Sequence, residues 1–332
     1  MKKSAIILFI LIILITFSVR FLAFLQPVER NTNSVYSINI EYGSTSKTVA
    51  NLLEENNIIR SSFAFNVLIN VLGYDNQLRA GYYEISPENN IFEVIDIIRK
   101  GRVETFKVSI PEGSTLKEII SRFEKETLYS KEEFFNIAQN IELNNKEYLA
   151  ENSDAIKYKL EGFLYPDTYK IQKNFKPTQI YKLMLNEFEN KWLLKLKDKA
   201  DNNKYSVLEL VTIASIVEKE AKLKEEKPII AGIIFNRLEK NMKLQIDATV
   251  QYVLPQRKER LLYSDLKIES KYNTYLHQGL PPGPISNPGA ASINAVLNPE
   301  KTEYLFYFAR KDGSHVFSKT YQEHLEKQNE LN

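Results

Sequence analysis

The first block of the chain is apolar at almost every position. From Ala5 to Leu25 only Thr16, Ser18 and Arg20 interrupt it. A helix that is hydrophobic all round predicts a membrane span. At 1.5 Å per residue it covers roughly 31 Å, about the thickness of the hydrocarbon core. Residues 27–35 are polar and read as a short linker. Over residues 36–124 short alternating runs exchange with helical ones. Ile38 and Ile40 alternate as in a strand; Val49, Leu52 and Leu53 then recur at helical spacing. A helix around Phe63–Leu72, a strand Gly81–Ile85 and a helix Ile91–Lys100 follow. Val108 and Ile110 alternate again, ahead of a helix carrying Leu116, Ile119, Ile120 and Phe123. Residues 125–205 form a mostly helical, charged connecting region, with helices over Lys131–Gln139 and Pro177–Leu196. An aromatic island at 160–171 breaks it; its proline excludes helix interior. The remaining residues, 206–328, open on a strongly helical run. Strands and helices mixed in this way predict an α+β fold behind one N-terminal transmembrane helix.

Composition narrows the function. Hydrophobic residues make up 43% and charged residues 26%, the mix of a globular protein with a core. Lys+Arg number 44 against Asp+Glu 42, so no clustered basic excess points to nucleic acid. The chain has no cysteine and three histidines, His277, His315 and His324. That excludes disulfides, thiolate chemistry and cysteine-held metals, and no metal or other cofactor is expected. Lys2 and Lys3 ahead of the apolar block place the N-terminus in the cytoplasm. A cleaved signal peptide is the alternative, but Phe-Leu-Gln-Pro-Val follows the block where a small-residue cleavage site would stand. The expectation is a single-pass protein of the cytoplasmic (inner) membrane with the rest of the chain in the periplasm or outside. The large polymer there, in a bacterium, is peptidoglycan.

Two features carry candidate chemistry. Ile38-x-Ile40-x-x-Gly43-Ser44-Thr45 returns 70 residues later as Val108-x-Ile110-x-x-Gly113-Ser114-Thr115. The second copy has a capping box, Thr115 to Glu118. A strand–helix–helix–strand unit opening in this way resembles a LysM module, a type that binds GlcNAc-containing glycans. Second, Ser206–Ala221 carries Leu210, Ile213, Ala214, Val217 and Ala221 on one stripe and ends in Glu218 and Glu220. Residues two apart point about 200° away from each other on a helix, so the two carboxylates cannot face one bond together. Ile213, Ile216 and Val217 lie behind Glu220, and apolar surroundings favour a protonated acid. Both glutamates also have a lysine four residues on, Lys222 and Lys224, so surface ion pairs remain an alternative for each. The wheel leans toward Glu220 without deciding.

The order of motifs is then specific. Ala214-Ser-Ile-Val-Glu-Lys-Glu220 is followed by Ile234-Phe-Asn-Arg-Leu238 and Leu244-Gln-Ile-Asp-Ala-Thr-Val-Gln-Tyr252. Tyr272-Asn-Thr-Tyr275, Gly279-Leu-Pro-Pro-Gly-Pro-Ile285, Asn287-Pro-Gly289 and Gly313-Ser-His-Val-Phe317 come after; Glu161-Gly-Phe-Leu-Tyr-Pro-Asp-Thr-Tyr169 precedes them. In this order they resemble the endolytic murein transglycosylases, the YceG-like family, over essentially the whole chain. Asp247-Ala-Thr departs from the family's usual Asp-Pro-Thr.

The resemblance implies that Glu220, second Glu of the Glu-Lys-Glu triplet, is the catalytic acid. It implies cleavage of the MurNAc-β-1,4-GlcNAc bond within a strand, leaving a 1,6-anhydro ring, and termination of nascent strands. Gln245, Asp247, Tyr272, Asn273, Tyr275, Gly283 and His315 are expected to line the cleft and bind sugar, although each taken alone reads more readily as scaffold. The partners expected are the glycan strand and the enzymes that synthesise it. A non-catalytic glycan-binding anchor and a hydrolytic muramidase are the rival readings.

Overall fold

In the computed structural model residues 2–32, 34–41, 43–141, 146–149, 155–202 and 204–331 are described. Positions 33, 142–145, 150–154 and 203, inside the expected linker and connecting region, lie outside the described residues. The fold is mixed α+β. Helix α1 (Lys2–Phe24) contains an apolar stretch, Ile6–Phe24, long enough to cross a membrane. Contacts divide the chain into two units, Met1–Phe106 with Lys170–Phe175, and Lys107–Tyr169 with Lys176–Asn332.

In the first unit β1 (Tyr36–Ile40) and β2 (Gly81–Ile85) pair antiparallel, Tyr36 opposite Ile85 and Ile40 opposite Gly81. Helices α2 (Ser46–Glu55), α3 (Ser62–Leu72) and α4 (Ile91–Lys100) complete it. Alternation puts Ile38, Ile40, Tyr83 and Ile85 inward. Helical spacing puts Val49, Leu53, Phe65, Ile69, Val94 and Ile98 into the same core. Thr45, Ser61 and Asn90 cap the three helices, Asn90 reciprocally with Glu93. The segment after α1 is tied down: Arg60 donates to the Pro27 and Val28 carbonyls at 2.8 and 3.0 Å.

Short strands β3 (Phe106–Ser109) and β4 (Thr168–Ile171) flank α5 (Leu116–Glu126) and α6 (Lys131–Asn140) along the chain. The charged region continues as α7 (Pro177–Phe188) and α8 (Leu194–Asp201), joined through one π-helical segment, Glu189–Leu193. Next come α9 (Val207–Glu220), α10 (Lys227–Glu239), α11 (Asp247–Val253) and α12 (Ala290–Leu297). The hairpin β5 (Phe306–Ala309) and β6 (His315–Ser318), with α13 (Tyr321–Leu331), ends the described chain.

Helix α9 is the axis of the second unit. Helices α8, α10, α11 and α12 pack on it, and from Val207 to Val217 only Glu209 is more than slightly exposed. Its start is fixed by a capping box: Ser206 Oγ accepts from the Glu209 N–H, and the Glu209 carboxylate accepts from the Ser206 N–H at 2.8 Å. Behind it runs the aromatic island. Gly162 there has φ +89°, and a Cβ added to it would lie 2.5 Å from Pro284 and 2.9 Å from Val211 of α9. Both backbone sign and space therefore demand glycine. Gly162→Ala is expected to destabilise the protein by more than ~1 kcal/mol, read as a lowered midpoint in thermal unfolding. An unchanged midpoint would show that the island can move away from α9.

Candidate functional site

Helix α9, buried along its apolar run, surfaces in its last turn. Three polar residues stand there, and each meets a different environment. Glu218 is saturated. Lys227 Nζ lies 3.1 and 3.2 Å from its two oxygens, and both side chains are almost wholly buried. The Gly289 N–H and the Ser292 hydroxyl donate to Oε2 at 3.0 and 2.6 Å. Gly289 is the N-cap of α12, so the Glu218 charge also meets the positive end of that helix. Lys219 turns the other way and donates to the Gly113 carbonyl at 2.9 Å.

Glu220 ends the helix and lines a groove of about 770 Å³. Its Oε2 accepts from the Tyr307 hydroxyl at 3.0 Å, and among the described residues no lysine is paired to it. Burial pushes this carboxyl above the usual range. The hydrogen bond from Tyr307 opposes that rise, the Asp247 carboxylate adds to it, and the Ala248 N–H opposes it. Tyr307 is supported in turn. His315 sits edge-on to its ring at 5.5 Å, and the Glu226 carboxylate holds His315 through Nδ1 at 2.6 Å and the backbone N–H at 2.9 Å. Arg237, buried, donates to the Leu305 carbonyl at 2.6 Å just ahead of β5 and to the Leu244 carbonyl at 2.7 Å.

Among the residues expected at a cleft, Glu220 and Asp247 line this groove. Asp247 opens α11 and accepts from the Tyr275 hydroxyl at 2.6 Å, so Tyr275 stands next to the groove. Tyr272 lies one layer behind, its ring tilted by 45° against groove-lining Tyr252 at 5.1 Å, its oxygen accepting from the Lys157 N–H. Asn273 is fully buried and staples its own turn, donating to the Leu266 and Ile268 carbonyls. Gly283 is buried, and a Cβ there would meet only ordinary contacts, Tyr272 Oη at 3.5 Å and Ile156 at 3.6 Å. His315 supports Tyr307 from behind. Gln245 is exposed with φ +51° and is not among the groove-lining residues.

Periodicity did not single out Tyr307, Tyr252 or Glu161, all close to the acid or in the groove. Glu161 is 1% exposed and lines the groove as a second buried carboxyl. Burial pushes it up to about 8, against the hydrogen bonds from the Leu116 N–H and the Tyr252 hydroxyl. The cues for it were its place in the aromatic island and at the head of the motif Glu161–Tyr169, since its burial comes from partners far off in sequence. Thr115, Lys117, Glu118, Lys157 and Tyr158 join from the same upstream part of the chain. Among the described residues no group of three or more His, Asp or Glu is placed to hold a metal. The groove can therefore offer two shielded carboxyls whose burial favours the protonated form, the nearby Asp247 carboxylate, and aromatic and hydroxyl faces. That suits acid catalysis on a polar, uncharged bond.

Substitutions should separate the two glutamates by stability alone. Glu218→Ala strands the buried Lys227 charge and is expected to cost about 3–5 kcal/mol. Glu220→Gln removes a carboxyl that is already disfavoured as a charge, so stability at pH 8 should be unchanged or raised. Denaturant unfolding checks both; equal losses would mean that the two carboxyls are held alike.

Comparison with known proteins adds four findings. A family model described as the YceG-like family matches residues 38–330. The chain is 36% identical over 310 residues to an endolytic murein transglycosylase of Bacillus subtilis (strain 168), covering 90% of this chain and 86% of that one. It is 27% identical over 324 residues to a Streptococcus pneumoniae R6 protein of the same name, covering 90% of this chain and 58% of that longer one. The 2.6 Å crystal structure of a YceG-like protein from Listeria monocytogenes matches with a TM-score of 0.61 and 33% identity, over 89% of this chain and all of that one.

Proposed function

The chain belongs to the YceG-like family, and on that premise we propose that it is an endolytic lytic transglycosylase of peptidoglycan, with Glu220 as its acid and base. The observation that carries the assignment of Glu220 is the contrast in the last turn of α9. Glu218 spends its charge on Lys227, Gly289 and Ser292, whereas Glu220 faces the groove, shielded, with Tyr307 as hydrogen-bond partner.

On this reading Glu220 acts twice, first as acid and then as base. Glu220 gives its proton to the glycosidic oxygen between MurNAc and GlcNAc. The C1–O bond breaks, GlcNAc leaves with a hydroxyl, and positive charge develops at C1 with the neighbouring N-acetyl oxygen in support. The Glu220 carboxylate then takes the proton of the MurNAc 6-hydroxyl while O6 bonds to C1. Proton and ring both close within the site, and no water is consumed. Ionisation of Glu220 at the midpoint is eased by Tyr307 and the Ala248 N–H, the groups that already oppose its raised affinity for protons.

Cleavage inside nascent strands would set their length. Helix α1 anchors the chain in the cytoplasmic membrane, N-terminus inside and groove outside. Residues 36–124 act as a LysM-like glycan-positioning region, 125–205 connect, and 206–328 hold the acid. The synthases that extend the strand are the neighbouring enzymes.

One observation favours a second reading. Asp247 puts a carboxylate in the same groove, where it could activate water and make the enzyme a hydrolytic muramidase. Mass spectrometry of products from uncrosslinked strands separates the two: the anhydro end is lighter than a reducing end by one water. We expect anhydro ends from the parent. Glu220→Gln should lose at least about 100-fold in kcat, while Glu218→Gln keeps kcat per folded molecule. Reducing ends would establish the hydrolase.

The acid must be protonated to act, so activity should fall as pH rises through its pKa. Tyr307→Phe removes an interaction that lowers that pKa and should move the alkaline limb of kcat/KM to higher pH. A limb that moves down would contradict the assignment.

A further inference from the structure

Glu161 is a buried carboxyl of the groove to which the reaction above gives no task. Its hydrogen bonds divide sharply between its two oxygens. Oε1 accepts from the Leu116 N–H and from Asn287 Nδ2, each at 2.9 Å. Leu116 is the first residue of α5, so its N–H can only donate. The amide of Asn287 is held in one orientation, because its oxygen accepts from the Leu164 N–H at 2.8 Å and its nitrogen also donates to the Ser114 carbonyl at 2.9 Å. Oε1 is therefore an acceptor only, and a proton on this carboxyl must sit on Oε2. Oε2 faces the Tyr252 hydroxyl at 3.1 Å. Tyr252 lines the groove, its ring set between Tyr272 at 5.1 Å and the Lys157 ammonium at 4.9 Å.

Between Oε2 and the tyrosine oxygen there is room for one hydrogen. We propose that Glu161 is a positioning residue that sets the direction of the Tyr252 hydroxyl. Protonated, it donates to the tyrosine oxygen and leaves the tyrosine hydrogen to point at a glycan in the groove. Ionised, it takes that hydrogen for itself, and the groove loses a donor. This rests on the glycan reading of the groove.

The surroundings place the switch near neutral pH. Glu118 on α5 adds to the rise that burial causes in Glu161, and Lys219 on α9 opposes it. Lys157 and Tyr158, just before it in the chain, and Tyr272 also feel its charge. Tyr252 is pushed far above its ordinary value and stays a phenol throughout. Glu161 carries its proton below about pH 8 and loses it above.

The test is binding of uncrosslinked glycan strands by the full chain in detergent, with Glu220→Gln as background so that no strand is cut. The Kd should weaken about fivefold as pH passes from 6 to 9, the worth of one hydrogen bond. Adding Glu161→Gln, whose amide donates to Tyr252 at every pH, should hold the pH 6 affinity up to pH 9. Adding Tyr252→Phe should weaken binding about fivefold at pH 6 and leave it flat to pH 9. A Kd that is flat in the background, or that still weakens with Glu161→Gln, overturns the assignment of Glu161 while the glycan reading stands. No binding at any pH overturns both.

Discussion

The structure turns on how water is withheld from one carboxyl. Helix α9 is covered by other helices along its whole apolar run, so its last turn is the place where a polar side chain can meet a groove without leaving the protein's shelter. Desolvation is the dominant influence on Glu220 there, and it favours the protonated form. Two residues earlier the same desolvation acts on Glu218, but an ammonium, a backbone N–H and a hydroxyl hold the charge in place. The number and kind of donors distinguish an anchoring glutamate from one whose burial raises its proton affinity.

The groove is assembled from segments that are distant in sequence. The stretch from Gly279 to Gly289 closes against α9 itself: the Ile285 N–H donates to Ser215 Oγ at 3.0 Å, and Ser286 Oγ to the Ser215 carbonyl. Its prolines give a stiff backbone, and that stiffness carries Asn287 and Gly289 to Glu161 and Glu218. The hairpin of β5 and β6 delivers Tyr307, with Arg237 and Glu226 fixing its base and its backing. One short helix, α11, meets both buried acids, Asp247 and Ala248 toward Glu220 and Tyr252 toward Glu161.

Local elements were legible from the sequence because their signals are local. Gly81–Ile85 and Ile91–Lys100 have the bounds their patterns predicted, and Thr115 caps as its spacing to Glu118 required. The π-helical segment at Glu189–Leu193 had no such signal and lies inside a run expected to be plain helix. The site was only half legible. A wheel argument distinguished Glu220 weakly from Glu218, since it sees neighbours on one helix and not Lys227 or Tyr307. Asn273 looked like a sugar donor because free amides are, but its hydrogen bonds are consumed within its own turn. Glu161 escaped because its partners lie 45, 91 and 126 residues away. Such burial is written in tertiary contacts, and no periodicity records it.

The central claim is that burial raises the affinity of Glu220 for its proton although it lines a groove. The most direct measurement is the infrared carboxyl difference spectrum between the parent and Glu220→Gln, taken with the full chain across the neutral range. We predict that the protonated-acid band lost on Glu220→Gln persists in the parent to a higher pH than that of an exposed glutamate before it converts to a carboxylate band. A Glu220 that is already a carboxylate at pH 6, titrating like an exposed glutamate, would contradict the account.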